Sequence, residues 1–194
     1  MKKIHFILNL TILSLFISTS SAQMTNDHPK GLIYLEADPL AYINKGYSIH
    51  PGYENWGLRF DLTFVKVDFP ESFEKQFYKT AKFDLITKIH GIKIDYIGKR
   101  KNWTKGAFVG VDINRQKLQF THRTTLSAKN LSAYYAGLRV GYKINIYKGF
   151  YITPWTAYWY NFGHLQTYQV NNDKVSTNKT DWILTIHLGY ALNL

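Results

Sequence analysis

Between Asn130 and Ile146 the chain alternates apolar and polar positions almost without a break. Tyr134, Ala136, Leu138, Val140, Tyr142, Ile144 and Ile146 share one parity, while Gly137, Arg139, Gly141, Lys143 and Asn145 share the other. A period of two marks a strand whose two faces meet different surroundings. The pattern recurs where Trp56, Leu58, Phe60, Leu62 and Phe64 oppose Gly57, Arg59, Asp61 and Thr63. It returns at the end of the chain, where Trp182, Leu184, Ile186, Leu188, Tyr190, Leu192 and Leu194 oppose Thr185, His187, Gly189 and Asn193. Beyond residue 22 no apolar run approaches the roughly 20 residues that a membrane-crossing helix needs.

What fills the two faces separates a soluble sheet from one in lipid. A soluble sandwich points its polar face at water and fills it with Lys, Glu, Ser and Thr. Here that face is rich in Gly and carries charges of both signs, and the apolar face ends in Tyr or Trp, as at Trp56, Tyr96, Tyr134 and Trp182. Lipid-facing aliphatics, aromatic girdles and a polar interior are the pattern of a transmembrane β-barrel. The expected fold is therefore all-β, a transmembrane antiparallel up-and-down barrel.

The terminal series Ile186, Leu188, Tyr190, Leu192 and Leu194 resembles the C-terminal assembly signal of bacterial outer-membrane proteins, with Leu where that signal usually ends in an aromatic. By pattern, without a family-specific motif, the chain after the leader resembles the small eight-stranded barrels of the OmpA, OmpX and OmpW kind. The resemblance implies an outer-membrane location in a Gram-negative envelope, recognition by the barrel-insertion machinery, an even strand number and both ends in the periplasm.

Eight strands are expected, at 31–37, 40–48, 54–67, 85–97, 105–121, 131–146, 149–168 and 181–194. Periplasmic turns fall at His50-Pro51-Gly52, Gly98 to Thr104 and Tyr147-Lys148. Outer connections fall at Asp38-Pro39, 68–83, 122–130 and 171–180, the second holding Phe69, Phe73, Phe77 and Tyr78. Leu118 and Phe120 break phase with the rest of their strand, which a bulge or emergence above the membrane would explain. Pro154 cannot donate to a ladder.

Residues 1–22 read as an export signal, with Lys2 and Lys3 before a mostly apolar stretch and small residues from Ser18 to Ala22. Cleavage after Ala22 would leave a barrel domain at 23–194. The chain has no Cys, so it offers no disulfide, no thiol nucleophile and no site for a lipoprotein anchor. Its formal net charge of +11 includes Lys2 and Lys3, and the densest basic cluster is Lys99-Arg100-Lys101 with Lys105. Export argues against nucleic acid as the partner. Outer-membrane lipid and lipopolysaccharide suit the charge, since a basic side chain near an anionic membrane surface gains about 1 kcal/mol.

On this register Glu36, Arg59, Asp61, Lys93, Asp95, Asp112, Arg139 and Lys143 point inward as a lumenal charge network. An eight-stranded barrel is just wide enough for its side chains to fill, so a plugged interior is expected. Resemblance to lipid A deacylases and palmitoyl transferases, small barrels that use a His with a Ser and an acid, raises Ser48, His50 and Glu54 as catalytic candidates. Asp68 and Glu71 lie further along. The turn at His50-Pro51-Gly52 would place Ser48 and His50 about 25 Å from Asp68 and Glu71, across the hydrocarbon. His187 faces inward beside Thr185, and His90, His122 and His164 lack metal-ligand spacing. The expectation is a non-enzymatic outer-membrane barrel, without metal or cofactor, whose exposed loops meet envelope components or partners. The alternatives are a lipid A-modifying hydrolase or acyltransferase and a narrow channel for small apolar solutes.

Overall fold

A computed structural model describes residues 31–69, 82–97 and 106–193. The leader at 1–22, Glu71, the basic cluster at 99–105 and Leu194 lie outside the described residues. In chain order the elements are β1 (Leu32–Ala37), α1 (Pro39–Ile43), β2 (Tyr47–Asn55), β3 (Leu58–Phe69), β4 (Phe83–Tyr96), β5 (Gly106–His122), β6 (Ala128–Tyr147), β7 (Phe150–Asn161), β8 (Thr167–Val170), β9 (Asp173–Ser176) and β10 (Thr180–Asn193). Eight strands close antiparallel in the order β1-β10-β7-β6-β5-β4-β3-β2, while β8 and β9 form a separate hairpin.

The barrel is apolar outside and polar inside. Ile33, Leu62, Ile92, Ile113, Leu138 and Leu184 expose 46–67% of their surface, whereas Arg59, Asp95, Arg139 and Glu54 expose 0–1%. A soluble protein has the opposite arrangement, so this is the fold of a barrel with lipid around it.

One end carries both described chain ends and two two-residue turns, Trp56-Gly57 and Lys148-Gly149. Their φ angles are positive throughout, 50° and 82° in the first and 42° and 88° in the second. These are the angles of the primed hairpin turn, whose twist matches that of the flanking strands. The second turn lies one residue later than Tyr147-Lys148. Its ascending strand, β7, ends at Asn161 rather than near 168. The opposite end carries α1, the connections between β3 and β4 and between β5 and β6, and the β8–β9 hairpin.

Three further expectations are corrected. Residues 38–46 are not a short turn leading into a strand. Asp38 caps α1, its side chain accepting from Leu40 N–H at 2.8 Å, and Pro39 occupies the first turn, where a missing N–H costs nothing. The second strand is β2, and it runs straight through His50-Pro51-Gly52. Pro51 is accommodated because the β2–β3 ladder lapses there, resuming in the same register at Gly52↔Asp61. Finally, of the two explanations for Leu118 and Phe120 the bulge falls away, because β4 and β5 stay in constant register from Phe83↔His122 to Tyr96↔Val109.

Leu118 and Phe120 instead turn inward at the loop end, packing with Phe83, Leu85, Leu131 and Val175 of β9. This apolar cluster fastens the β8–β9 hairpin over β4, β5 and β6. Asp173 on that hairpin accepts from Lys82 Nζ at 2.7 Å and lies 3.0 Å from His122 Nε2. Those two hydrogen bonds hold its carboxyl below the usual range.

Inward glycines stand opposite the largest inward rings. Tyr34 pairs with Gly52 and Tyr151 with Gly189. A Cβ on Gly52 would run into the Tyr34 ring and lie 2.6 Å from the Phe60 carbonyl oxygen. The backbone contact cannot be relieved by a rotamer change. Gly52→Ala should therefore destabilise the barrel by about 1–3 kcal/mol, the usual cost of overpacking. A lowered midpoint for loss of the fast-migrating unboiled band on SDS gels would show it, and an unchanged midpoint would contradict it.

Candidate functional site

The inward faces of β1, β3, β4, β5 and β6 bring the eight lumenal charges into one packed column. Asp61 is its hub, lying 3.7 Å from Arg59, 3.4 Å from Lys93 and 3.8 Å from Arg139. Arg59 pairs with Glu36 at 2.6 Å, Arg139 Nε lies 3.4 Å from Asp95, and Lys143 donates to Glu54 at 3.1 Å. Asp112 accepts from Asn114 at 2.9 Å. Glu54 thus belongs to this column, bound to Lys143 at the turn end.

Aromatic faces complete the cations' surroundings. The Arg59 guanidinium lies 4.3 Å from the Tyr34 ring centre, Arg139 lies 4.5 Å from Trp155, and Lys143 lies 4.2 Å from Tyr151. Among the described residues, several guanidinium nitrogens of Arg59 and Arg139 make no geometrically sound hydrogen bond. Charge attraction and ring contact therefore hold these side chains more than directed hydrogen bonds do.

Ser48 and His50 are not at the turn end. They sit inside the loop half of the barrel, and His50 Nε2 lies 2.7 Å from Ser48 Oγ. The far ring nitrogen, Nδ1, meets Lys93 Nζ at 2.9 Å and Thr63 Oγ1 at 3.3 Å. An ammonium only donates, so Nδ1 accepts and the ring proton resides on Nε2, from which it is donated to Ser48 Oγ. Ser48 Oγ also accepts from the Asp38 N–H at 3.1 Å. A nucleophilic serine needs the reverse: a ring nitrogen free to take its proton and a carboxylate on the other nitrogen. Glu54 does not contact His50, and the nearest His–carboxylate pair is His187 Nδ1 with Glu36 at 2.9 Å. His187 stacks on His50 with ring centres 4.4 Å apart. Asp68 is the penultimate residue of β3, and its N–H donates to the Asn44 carbonyl at 3.1 Å.

Above this layer the interior is not full. A cavity of about 250 Å³ lies in the loop half, with Val65, Val67, Leu85, Ile89 and Ile183 on its walls and His50, Lys93, Asp112 and His187 toward its base. Trp155, Trp159, Thr87 and Gln116 also line it, and the alternation pattern did not single them out. The only sequence signal was the excess of aromatics on both faces of the strand around Pro154. Among the described residues no group of three or more His, Asp or Glu could hold a metal ion.

No family model and no curated protein matches the sequence. Solved structures match the fold. Neisserial surface protein A is 13% identical with a TM-score of 0.50, over 84% of this chain and 93% of its own. The N-terminal β-barrel domain of Pseudomonas aeruginosa OprF is 10% identical with a TM-score of 0.50, over 86% of this chain and 100% of its own. A major outer membrane protein from Thermus thermophilus is 12% identical with a TM-score of 0.50, over 84% and 99%. This chain has the fold of the small outer-membrane barrels. At these identities the likeness extends to architecture alone.

Two outcomes follow from the interior. Arg139→Ala leaves Asp95 without its nearest cation and removes one of three from Asp61. It should destabilise the barrel by about 3–5 kcal/mol if the column is dry, and by less if water enters. The unboiled-band midpoint in urea measures this, and an unshifted midpoint would refute the pairing. His50→Ala should leave lipid A acylation unchanged, because the His50 ring donates to Ser48 rather than accepting from it. A changed acyl pattern by mass spectrometry would refute that polarity.

Proposed function

We propose that this chain is a non-enzymatic integral outer-membrane barrel, exported by its leader, with the turn end in the periplasm and the loop end facing outward. The observation that carries the reading is the closed, inside-out barrel around a packed charge column. The two tight turns share one side with the described chain ends and the β4–β5 connection, while α1, the longer β3–β4 connection and the β8–β9 hairpin lie on the other, which supports the orientation. Ile186, Leu188, Tyr190 and Leu192 all face outward, exposing 39–56% of their surface. A strand of that form suits recognition by the barrel-insertion machinery during assembly.

The proposed partner at the loop end is anionic outer-membrane lipid, lipopolysaccharide above all. Lys66, Lys88 and Lys117 are directly opposite one another across β3, β4 and β5. One row nearer the turn end come Phe64, His90, Arg115 and Tyr134, and below them Leu62, Ile92, Ile113 and Ala136. Like charges set opposite across strands repel, and among the described residues none of the three lysines has an ion-pair partner. A phosphate layer just above the apolar belt would relieve the repulsion, at about 1 kcal/mol per lysine. A filled turn half also argues for a lumen that conducts little.

The mature chain should fractionate with the outer membrane and migrate differently on SDS gels before and after boiling. In planar bilayers it should show little steady conductance. Vesicles containing anionic lipid should raise its unfolding midpoint over zwitterionic vesicles, and the triple variant Lys66→Gln, Lys88→Gln, Lys117→Gln should lose most of that gain. Recovery from the soluble periplasm, or a steady current of hundreds of picosiemens, would overturn the corresponding part.

A further inference from the structure

The barrel wall has a gap in its loop half. β1 pairs with β10 only from Ala37↔Leu188 to Leu32↔Asn193, although β10 begins at Thr180. Residues 180–187 therefore have β7 on one side and no strand on the other. Across the gap, Tyr47 to Ile49 of β2 pair with β3 alone. α1 lies over this opening, tied by Thr185 Oγ1 donating to Asp38 Oδ2 at 2.7 Å, with Leu40, Tyr42 and Ile43 exposed.

The cavity opens toward that gap. Its lining passes from inward Ile183 and Thr185 round the free edge of β10 to outward Trp182 and Leu184, with Leu40 and Ala41 of α1 opposite. It therefore reaches the flank that the apolar belt surrounds. Deeper in, three polar atoms have no partner among the described residues: Trp155 Nε1, Trp159 Nε1 and Thr87 Oγ1. Their residues are 4%, 5% and 3% exposed, and all three line this one cavity. An indole N–H can only donate, so the unmet demand is for an acceptor.

Charge narrows the acceptor further. Lys93 is already engaged by Asp61 and His50, while Asp38, Asp112 and Asp181 also line the cavity. A carboxylate or phosphate head would meet more negative charge than positive. The volume falls just under the roughly 300 Å³ at which small-molecule sites begin, which excludes a lipid with several chains.

We propose that this cavity binds an uncharged single-chain amphiphile bearing a carbonyl group, an ester or amide of acyl-chain type, which arrives from the bilayer through the gap between α1 and β10. The carbonyl oxygen, with two lone pairs, accepts from Thr87 Oγ1–H and from one of the two indole N–H groups, and the chain lies along Val65, Val67 and Ile183 toward the lipid. The site is blind, because the charge column closes it toward the turn end. This inference rests on the bilayer reading above.

The test uses the mature chain refolded in phosphatidylcholine vesicles, with Trp56, Trp103 and Trp182 changed to Phe so that Trp155 and Trp159 report. The probes are the methyl ester of a fatty acid brominated at C4, close to the carbonyl that meets the indoles, the free acid above its pKa and the matching bromoalkane, since bromine quenches indole fluorescence at near-contact range. The ester should quench saturably above a linear partitioning background, with the alkane and the acid several-fold weaker. Thr87→Val should weaken the ester by about two- to tenfold, the range for one hydrogen bond, and Val67→Phe should abolish the saturable phase. Purely linear quenching, an alkane or acid equal to the ester, or an ester phase that survives Val67→Phe would each overturn the site. If Val67→Phe fails to fold, Thr87→Val decides, and an unchanged ester affinity refutes the proposal. The gel heat shift of each sample separates these outcomes from failure of the bilayer reading, because a chain that never gives the shift sinks both.

Discussion

The interior of an eight-stranded barrel is so narrow that a charge placed there must be answered by another side chain rather than by bulk water. Asp61 is where that constraint is met. Three cations from three different strands, Arg59 of β3, Lys93 of β4 and Arg139 of β6, approach this one carboxylate within 3.4–3.8 Å. Each of them has a second attachment elsewhere. Arg59 reaches Glu36 on β1, Lys93 reaches His50 on β2, and Arg139 reaches Asp95 on β4. The column therefore ties five strands through their side chains, in addition to the backbone ladder between neighbours. The glycines opposite Tyr34 and Tyr151 serve the same constraint, since they provide the room in which the rings can lie against the cations.

This arrangement also sets what the histidines can do. His50 has a serine on one nitrogen, as a hydrolase would, but a lysine where such an enzyme has a carboxylate. A single substitution of charge type at that second nitrogen changes the ring from a base toward Ser48 into a donor to it. His187, stacked on His50, takes the carboxylate instead. The two rings thus link the Glu36–Arg59 pair to the Lys93–Asp61 pair and belong to the packing of the column.

Much of the fold could be read from residue order, because lipid outside and protein inside impose different chemistry on alternate residues. That is why the inward positions of Arg59, Asp61, Arg139 and Lys143 follow from parity. The first hairpin could not be read in the same way. A helix of five residues, Pro39–Ile43, is too short to show a period. His50-Pro51-Gly52 looks like a turn because Pro and Gly are the usual turn residues. In the barrel, however, Pro51 sits at a lapse in the ladder and Gly52 makes space for Tyr34. That one misplacement carried Ser48 and His50 to the wrong end of the strand, and with them the expected distance to Asp68. The cavity was equally hidden, since nothing in the order of residues tells which buried indoles of β7 lack a partner.

The shortness of β1 also bears on how the barrel comes to exist. Its six residues, Leu32–Ala37, must find partners at Leu188–Asn193, almost the whole described chain away. The other adjacent barrel strands are joined by hairpins or loops and can pair as soon as both are present. Closing a loop of nearly the full chain length is the costliest step in entropy, and contacts so distant in sequence slow folding. The join between the two ends is also among the shortest ladders in the barrel. It is the natural last step of assembly and the place where a closed barrel would first come apart.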